Sequence, residues 1–94
     1  MTTRVKASHI LVKTQEEALK IKQDIETGKI DFPHAAGQYS MCPSGGDGGD
    51  LGYFERGMMV KPFEDAAFSA ELNKVTEPVQ TQFGWHLIIV TDKD

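Results

Sequence analysis

The apolar patterning of this sequence predicts an α+β fold, a small and mainly antiparallel sheet with helices packed around it. Three observations carry that expectation. Strand-like runs rich in β-branched residues open and close the chain, at residues 5–13 and 85–91. Helical periodicity fills residues 14–39 and begins again at Lys61. The strands do not alternate regularly with helices, as parallel βαβ units would require. With 94 residues the chain has room for one domain spanning 1–94 and one modest core.

The elements follow in order. In the first run Val5, Ala7, His9 and Leu11 fall on one face, and Ser8, Ile10 and Val12 on the other. Both faces are mostly apolar, as in a strand covered on both sides. Thr14-Gln15-Glu16-Glu17 is a capping box, in which a threonine hydroxyl satisfies an orphan N–H of the first helical turn. It starts a helix whose apolar stripe is Ala18, Ile21 and Ile25, with Gly28 as its stop. Asp31 is a second N-cap, and Pro33 is tolerated in the turn that follows. Phe32, Ala35, Ala36 and Tyr39 then share one helical face.

From Cys42 to Gly52 the chain is glycine-rich, and five glycines between Gly45 and Gly52 forbid a stable helix there. A short strand is expected over 51–55. Lys61-Pro62-Phe63-Glu64 opens another helix, with Phe63, Ala66 and Ala67 facing inward. Residues 78–80 form a short strand before a turn at Gly84. The run 85–91 is apolar on both faces, which places it centrally in the sheet.

The charge balance of 10 basic and 14 acidic residues, net −4, argues against nucleic acid as a partner. The diffuse set Lys13, Lys20, Lys22 and Lys29 is interleaved with acids and reads as a solvated helix face. The single cysteine, Cys42, allows no internal disulfide and fits a reducing compartment. The longest purely apolar stretch, 87–90, is far too short to span a membrane. A soluble, cytoplasmic, monomeric protein with no membrane partner is the expectation.

Three features can carry chemistry. His9 and His86 sit within apolar strands, where a single histidine is ordinarily a satisfied core residue. Two in neighbouring central strands can meet and fix each other's tautomer. Cys42 begins the glycine-rich loop. Leu51, Met58, Met59, Phe63 and Phe83 lie beside glycines or helix starts, where side chains line pockets. A metal site built from His9, His86 and Cys42 lacks the usual ligand spacings. A Cys–His nucleophile would make the protein a hydrolase or thiol transferase. The glycine-rich loop lacks the lysine of a phosphate cradle, and Asp47 and Asp50 would repel phosphate. Those two aspartates are also too few ligands for calcium. His34 lies on the polar side of its helix.

Taken in order, the segments resemble the parvulin family of peptidyl-prolyl cis/trans isomerases, most of all the short, single-domain bacterial type. The likeness is carried by Ser8-His9-Ile10-Leu11-Val12-Lys13, by Tyr39-Ser40-Met41-Cys42-Pro43-Ser44 and by Gly48-Gly49-Asp50-Leu51-Gly52-Tyr53-Phe54. It continues through Arg56-Gly57-Met58-Met59-Val60, Pro62-Phe63-Glu64-Asp65-Ala66-Ala67-Phe68 and Phe83-Gly84-Trp85-His86-Leu87-Ile88-Ile89.

The resemblance implies a four-stranded antiparallel sheet ringed by four helices, in the order β-α3-β-α-β2. It implies that His9 and His86 face each other beneath the site, supported by Thr81, with Cys42 near the reacting peptide bond. Leu51, Met59 and Phe63 would take the proline ring, and Phe83 would close the rim. The partners would be proline-containing segments of client proteins, with no metal and no cofactor. One branch of the family prefers a phosphorylated residue before proline and carries a basic insertion after the first strand. Here Lys13 runs directly into Thr14-Gln15-Glu16-Glu17, so no phosphate preference is expected. A parvulin-like peptide-binding module without catalysis is the alternative.

Overall fold

The computed structural model describes residues 2–94. One four-stranded sheet is built from β1 (Arg4–Val12), β2 (Asp50–Glu55), β3 (Val79–Thr81) and β4 (Gly84–Lys93). Its spatial order is β2-β1-β4-β3, and every neighbouring pair is antiparallel. The two long apolar strands are therefore central, as their sequences demand. Three α-helices, α1 (Gln15–Glu26), α2 (Phe32–Tyr39) and α3 (Lys61–Ser69), surround it. A 3-10 helix over Pro43–Asp47 is the fourth helical segment. It lies where the glycines exclude a longer helix.

The caps form as the sequence specifies. The Glu17 N–H donates to Thr14 Oγ1 at 3.2 Å, and the His34 N–H to an Asp31 carboxylate oxygen at 2.9 Å. The sheet separates two apolar clusters. Ile10, Val12 and Leu87 pack on one face against Ala18 and Ile21 of α1 and Phe32, Ala35 and Ala36 of α2. Val5, Ala7, Ile88 and Val90 pack on the other face with Phe54, and α3 covers them with Phe63, Ala67 and Phe68. Tyr39 departs from its expected place on the inner face of α2. It ends the helix and is exposed, because the chain turns outward at the extended Ser40.

Two irregularities re-aim side chains. In the β1–β2 pairing Ala7 faces Gly52 and Ser8 faces Asp50, so Leu51 is an extra, unpaired residue. In the β1–β4 pairing Thr91 is skipped in the same way, between Asp92 and Val90. Gly49 is required by close approach. Its φ is +80°, and a Cβ there would lie 2.3 Å from the His9 carbonyl oxygen. That proximity lets the His9 N–H donate to the Gly49 carbonyl at 3.0 Å, docking the loop against β1.

Candidate active site

Strand register brings the two histidines together. His9 pairs with Ile88 and His86 with Leu11, so the imidazoles are diagonal neighbours on the face that α3 covers. Their Nδ1 atoms lie 3.0 Å apart, with ring centroids at 5.2 Å and an interplanar angle of 17°. Both are buried, at 6% and 4% exposure. Phe63, from the first turn of α3, sets its ring edge-on to both, with centroids 5.5 Å from His9 and 5.1 Å from His86.

The outer nitrogens are also occupied. Thr81 Oγ1 is 2.7 Å from His86 Nε2, and Ser44 Oγ is 3.3 Å from His9 Nε2. Ser44 Oγ lies 3.3 Å from Cys42 Sγ. A hydrogen-bonded chain thus links Thr81, His86, His9, Ser44 and Cys42, and with each imidazole singly protonated every ring nitrogen is satisfied in either direction of donation.

Electrostatically the pair is neutral. Burial pushes the His86 imidazole down to about 4, and a charge on His9 would depress it further. Burial alone lowers His9. Two protonated rings at this separation would repel each other in a poorly hydrated site, so the neutral, hydrogen-bonded form is favoured.

Above the pair opens a cleft of about 470 Å³. Phe63 and the histidines form its floor, and Leu51, Met58, Met59 and Val60 line one side. Leu11, Met41, Cys42, Pro43 and Phe83 complete the lining. Met58 and Phe83 stand at the mouth, 64% and 58% exposed. The segment bearing Cys42 is tied to β1 by the Met41 N–H, which donates to the Leu11 carbonyl at 2.8 Å. Ser40 Oγ accepts from the N–H groups of both Leu11 and Cys42. The β3–β4 turn is held through Thr81, whose hydroxyl oxygen accepts the Phe83 N–H at 3.1 Å.

All eight residues singled out in the sequence, His9, Cys42, His86, Thr81, Leu51, Met59, Phe63 and Phe83, meet in or directly beneath this cleft. His34 is exposed and paired with Asp31. Ser44 was not among the candidates, although it links the histidines to the thiol. Its position two residues after Cys42, where a turn returns the chain, was the available signal. Leu11 was legible as a neighbour of His9 on one strand face, but not as a cleft residue. Among the described residues there is no cluster of three or more His, Cys, Asp or Glu side chains able to hold a metal ion.

Comparison with known proteins agrees with this geometry. The sequence matches the family described as the PPIC-type PPIASE domain over residues 1–94. It is 49% identical over 92 residues to a foldase protein PrsA of Geobacillus sp., covering 97% of this chain and 33% of that protein. It is 43% identical to the peptidyl-prolyl cis-trans isomerase pin1 of Rhizopus delemar, covering 94% of this chain and 73% of that one. The solution structure of NmPin, the parvulin of Nitrosopumilus maritimus, superposes with a TM-score of 0.87 at 43% identity, covering 98% and 99% of the two chains. The peptidylprolyl isomerase PrsA of Bacillus anthracis superposes with a TM-score of 0.95 at 41% identity, covering 99% of this chain and 43% of that one. The chain thus spans about a third of the length of the foldase relatives it matches. The family match over residues 1–94, together with a sheet and helix arrangement shared along the full sequence with solved parvulins, shows that the chain belongs to the PPIC-type peptidyl-prolyl cis/trans isomerases, the parvulins.

Proposed function

We propose that the cleft grips a prolyl ring between Leu51, Met59 and Phe63 while the preceding peptide bond rotates beside Cys42. The reaction breaks no bond. Rotation about the amide faces a barrier of roughly 18–20 kcal/mol from resonance. Uncatalysed X–Pro exchange takes on the order of tens to hundreds of seconds. Reaching milliseconds requires about 10⁵-fold, or roughly 7 kcal/mol off the barrier.

The planar amide carries a large dipole that water solvates well. The twisted transition state loses resonance and is less polar. An apolar cleft therefore disfavours the planar form more than the twisted one. Burying the proline ring contributes roughly 1.5–3 kcal/mol of binding, and only the part that grows in the transition state raises the rate. Cys42 acts as a polar neighbour of the rotating carbonyl through its thiol, and not as a covalent attacker. The His9–His86 pair, with Thr81 and Ser44, organises the floor and orients that thiol.

Phosphate preference is not part of this reading. Among the described residues no Lys or Arg lines the cleft. The exposed apolar rim of Met41, Met58 and Phe83 suits an apolar residue next to the proline. Clients are then unfolded or flexible protein segments containing proline. A single cysteine, which can form no internal disulfide, fits a reducing, cytoplasmic setting. Among the described residues no helix is long and apolar enough to cross a membrane.

The observation that carries this reading is the apolar cleft directly above a buried, hydrogen-bonded and uncharged histidine pair. Magnetisation-exchange NMR on proline peptides varying the preceding residue tests it, with apolar, acidic and phosphorylated members. Faster exchange is expected for the apolar members above all. Peptide binding without faster exchange would leave a binding module instead, and a tenfold preference for the phosphorylated peptide would refute the specificity proposed.

A further inference from the structure

The wall formed by Met58, Met59 and Val60 is a loop, and the fold holds it in an unusual way. It leaves β2 at Glu55 and enters α3 at Lys61. The loop's backbone ties among the described residues lie at its two ends, the Met58 N–H to the Glu55 carbonyl at 3.3 Å and the Glu64 N–H to the Val60 carbonyl at 2.9 Å, and the Glu55 N–H also donates to Met58 Sδ at 3.3 Å. Gly57, at its apex, has φ +93°, a left-handed conformation that brings no hydrogen bond of its own. The anchor comes from α3. Glu64 Oε1 accepts the Gly57 N–H at 2.5 Å, and Glu64 Oε2 accepts from Arg56 Nη1 at 3.1 Å. Lys61 Nζ is 3.7 Å from the same oxygen.

Glu64 is the one buried carboxylate among the described residues, 5% exposed beside the solvated Lys61, Pro62 and Asp65. A buried charge persists where hydrogen bonds and opposite charges compensate it, and here both come from the loop it touches. It also follows Phe63 directly. One turn of α3 thus presents the cleft floor with Phe63 and grips the cleft wall with Glu64.

We propose that Glu64 is a positioning residue that sets the width of the cleft by holding the Met58–Val60 wall over Phe63. This rests on the reading of the cleft as the prolyl site. The Glu64 side chain lines no part of the cleft and acts only through the loop. Its removal lets the wall swing outward, so peptide capture weakens while the rotation of a captured bond proceeds on the same floor. The expected signature is a change in KM with kcat retained.

Asp65 provides the control. It pairs with the same two cations, at 3.6 Å from Arg56 and 3.4 Å from Lys61, but makes no contact with Gly57. Glu64→Met keeps length and bulk while removing both acceptors. Glu64→Gln keeps one acceptor for the Gly57 N–H and removes the charge. Asp65→Ala removes only the outer pairing.

The chain has four methionines, so their methyl signals report the wall directly in the free protein. In Glu64→Met the Met58 and Met59 methyl resonances should shift or broaden while Met41, across the cleft, holds still; the added methionine is assigned by difference. KM should rise about five- to twenty-fold with kcat within about twofold. Glu64→Gln should fall between this variant and the parent, and Asp65→Ala should match the parent. If Glu64→Met is folded and its methyl spectrum and KM are those of the parent, the proposal is wrong. It is equally wrong if kcat falls while KM stays, or if Asp65→Ala reproduces the effect. Should Glu64→Met fail to fold, Glu64→Gln decides, since unchanged methyl shifts and KM there overturn the proposal. If the parent protein does not accelerate exchange at all, the prolyl reading fails, and the methyl spectra still decide whether Glu64 holds the wall.

Discussion

Phe63 gives the sharpest test of the cleft, because it is a core residue and, in the function proposed, a residue of the prolyl site as well. It is 3% exposed and packs on His9, His86 and Phe54, the last at a centroid distance of 6.0 Å. Phe63→Ala should destabilise the protein by about 3–5 kcal/mol through lost burial and a residual cavity. A chain of 94 residues has roughly 5–14 kcal/mol in total. The melting temperature should fall roughly 4–8 °C for each kcal/mol lost. Activity must therefore be measured at low temperature and normalised to the folded fraction from a urea titration.

On that basis the loss of the ring contact removes up to roughly 1.5–3 kcal/mol of proline burial, so kcat/KM should fall about 10- to 150-fold. Phe68 is the matched control. It lies in the same cluster against Phe54, at 6.1 Å, with the Arg56 guanidinium over its ring, and takes no part in the cleft. Phe68→Ala should cost comparable stability and leave the activity per folded molecule within about threefold of the parent. Exchange spectroscopy on a proline peptide reads both. If the two variants lose activity equally per folded molecule, Phe63 is only a core residue and the cleft assignment fails.

The histidine pair predicts a pH dependence with a definite sign. Both imidazoles are depressed in the folded state, His86 to about 4, so their neutral forms are the stable ones. Stability is then complete above the unfolded value of about 6.5 and is lost as pH falls toward 4, by on the order of 3 kcal/mol for His86. Urea unfolding at pH 7.5 and pH 4.5 checks this, and equal midpoints would count against a neutral pair. Cys42→Ser should keep substantial activity, within about tenfold of the parent, since no covalent step is involved. Complete loss in a folded variant would return the nucleophile reading. Gly49→Ala puts a methyl into the His9 carbonyl in a left-handed backbone, and should destabilise by roughly 1–3 kcal/mol or more in chemical denaturation. Unchanged stability there would show that the loop does not need its close approach to β1.

Most of the fold was legible because its signals are local. Period-two runs gave β1 and β4, and capping residues gave the starts of α1 and α2; glycine density excluded a stable helix from the Cys42–Gly52 segment but did not reveal the short 3-10 helix over Pro43–Asp47. What was hidden depended on tertiary register. Tyr39 fits an inward helical stripe, yet α2 ends beneath it and leaves it outside. Leu51 gains its aim toward the cleft from a bulge that no single strand reveals. Ser44 is unremarkable in sequence and becomes the link between thiol and imidazole only when the 3-10 turn brings it to His9. Glu64 reads as an ordinary acid in the first turn of a helix, and its burial is apparent only once the Gly57 loop folds over it. His9 and His86 meet in space because they are two residues out of direct register, which puts both on the α3 face; Thr81, named only from the resemblance, reaches His86 through the short pairing of β3 with β4.

The site is built from two kinds of neutrality, and the reaction explains why they coexist. Its apolar walls withhold solvation from the planar amide, whose dipole would otherwise be stabilised along with the transition state. A charge in the floor would undo this by solvating that dipole, so polar groups near the carbonyl must be present without being ionised. Buried histidines meet the condition only when each ring nitrogen has a partner. An unpaired imidazole nitrogen in this environment would carry the desolvation penalty of a lost hydrogen bond, about 1–3 kcal/mol. The chain from Thr81 to Cys42 supplies those partners among described residues without a single full charge. The charges that the region does contain, Glu64 with Arg56 and Lys61, compensate one another behind the cleft wall. In the function proposed, charge here holds backbone in place, and uncharged groups face the bond that turns.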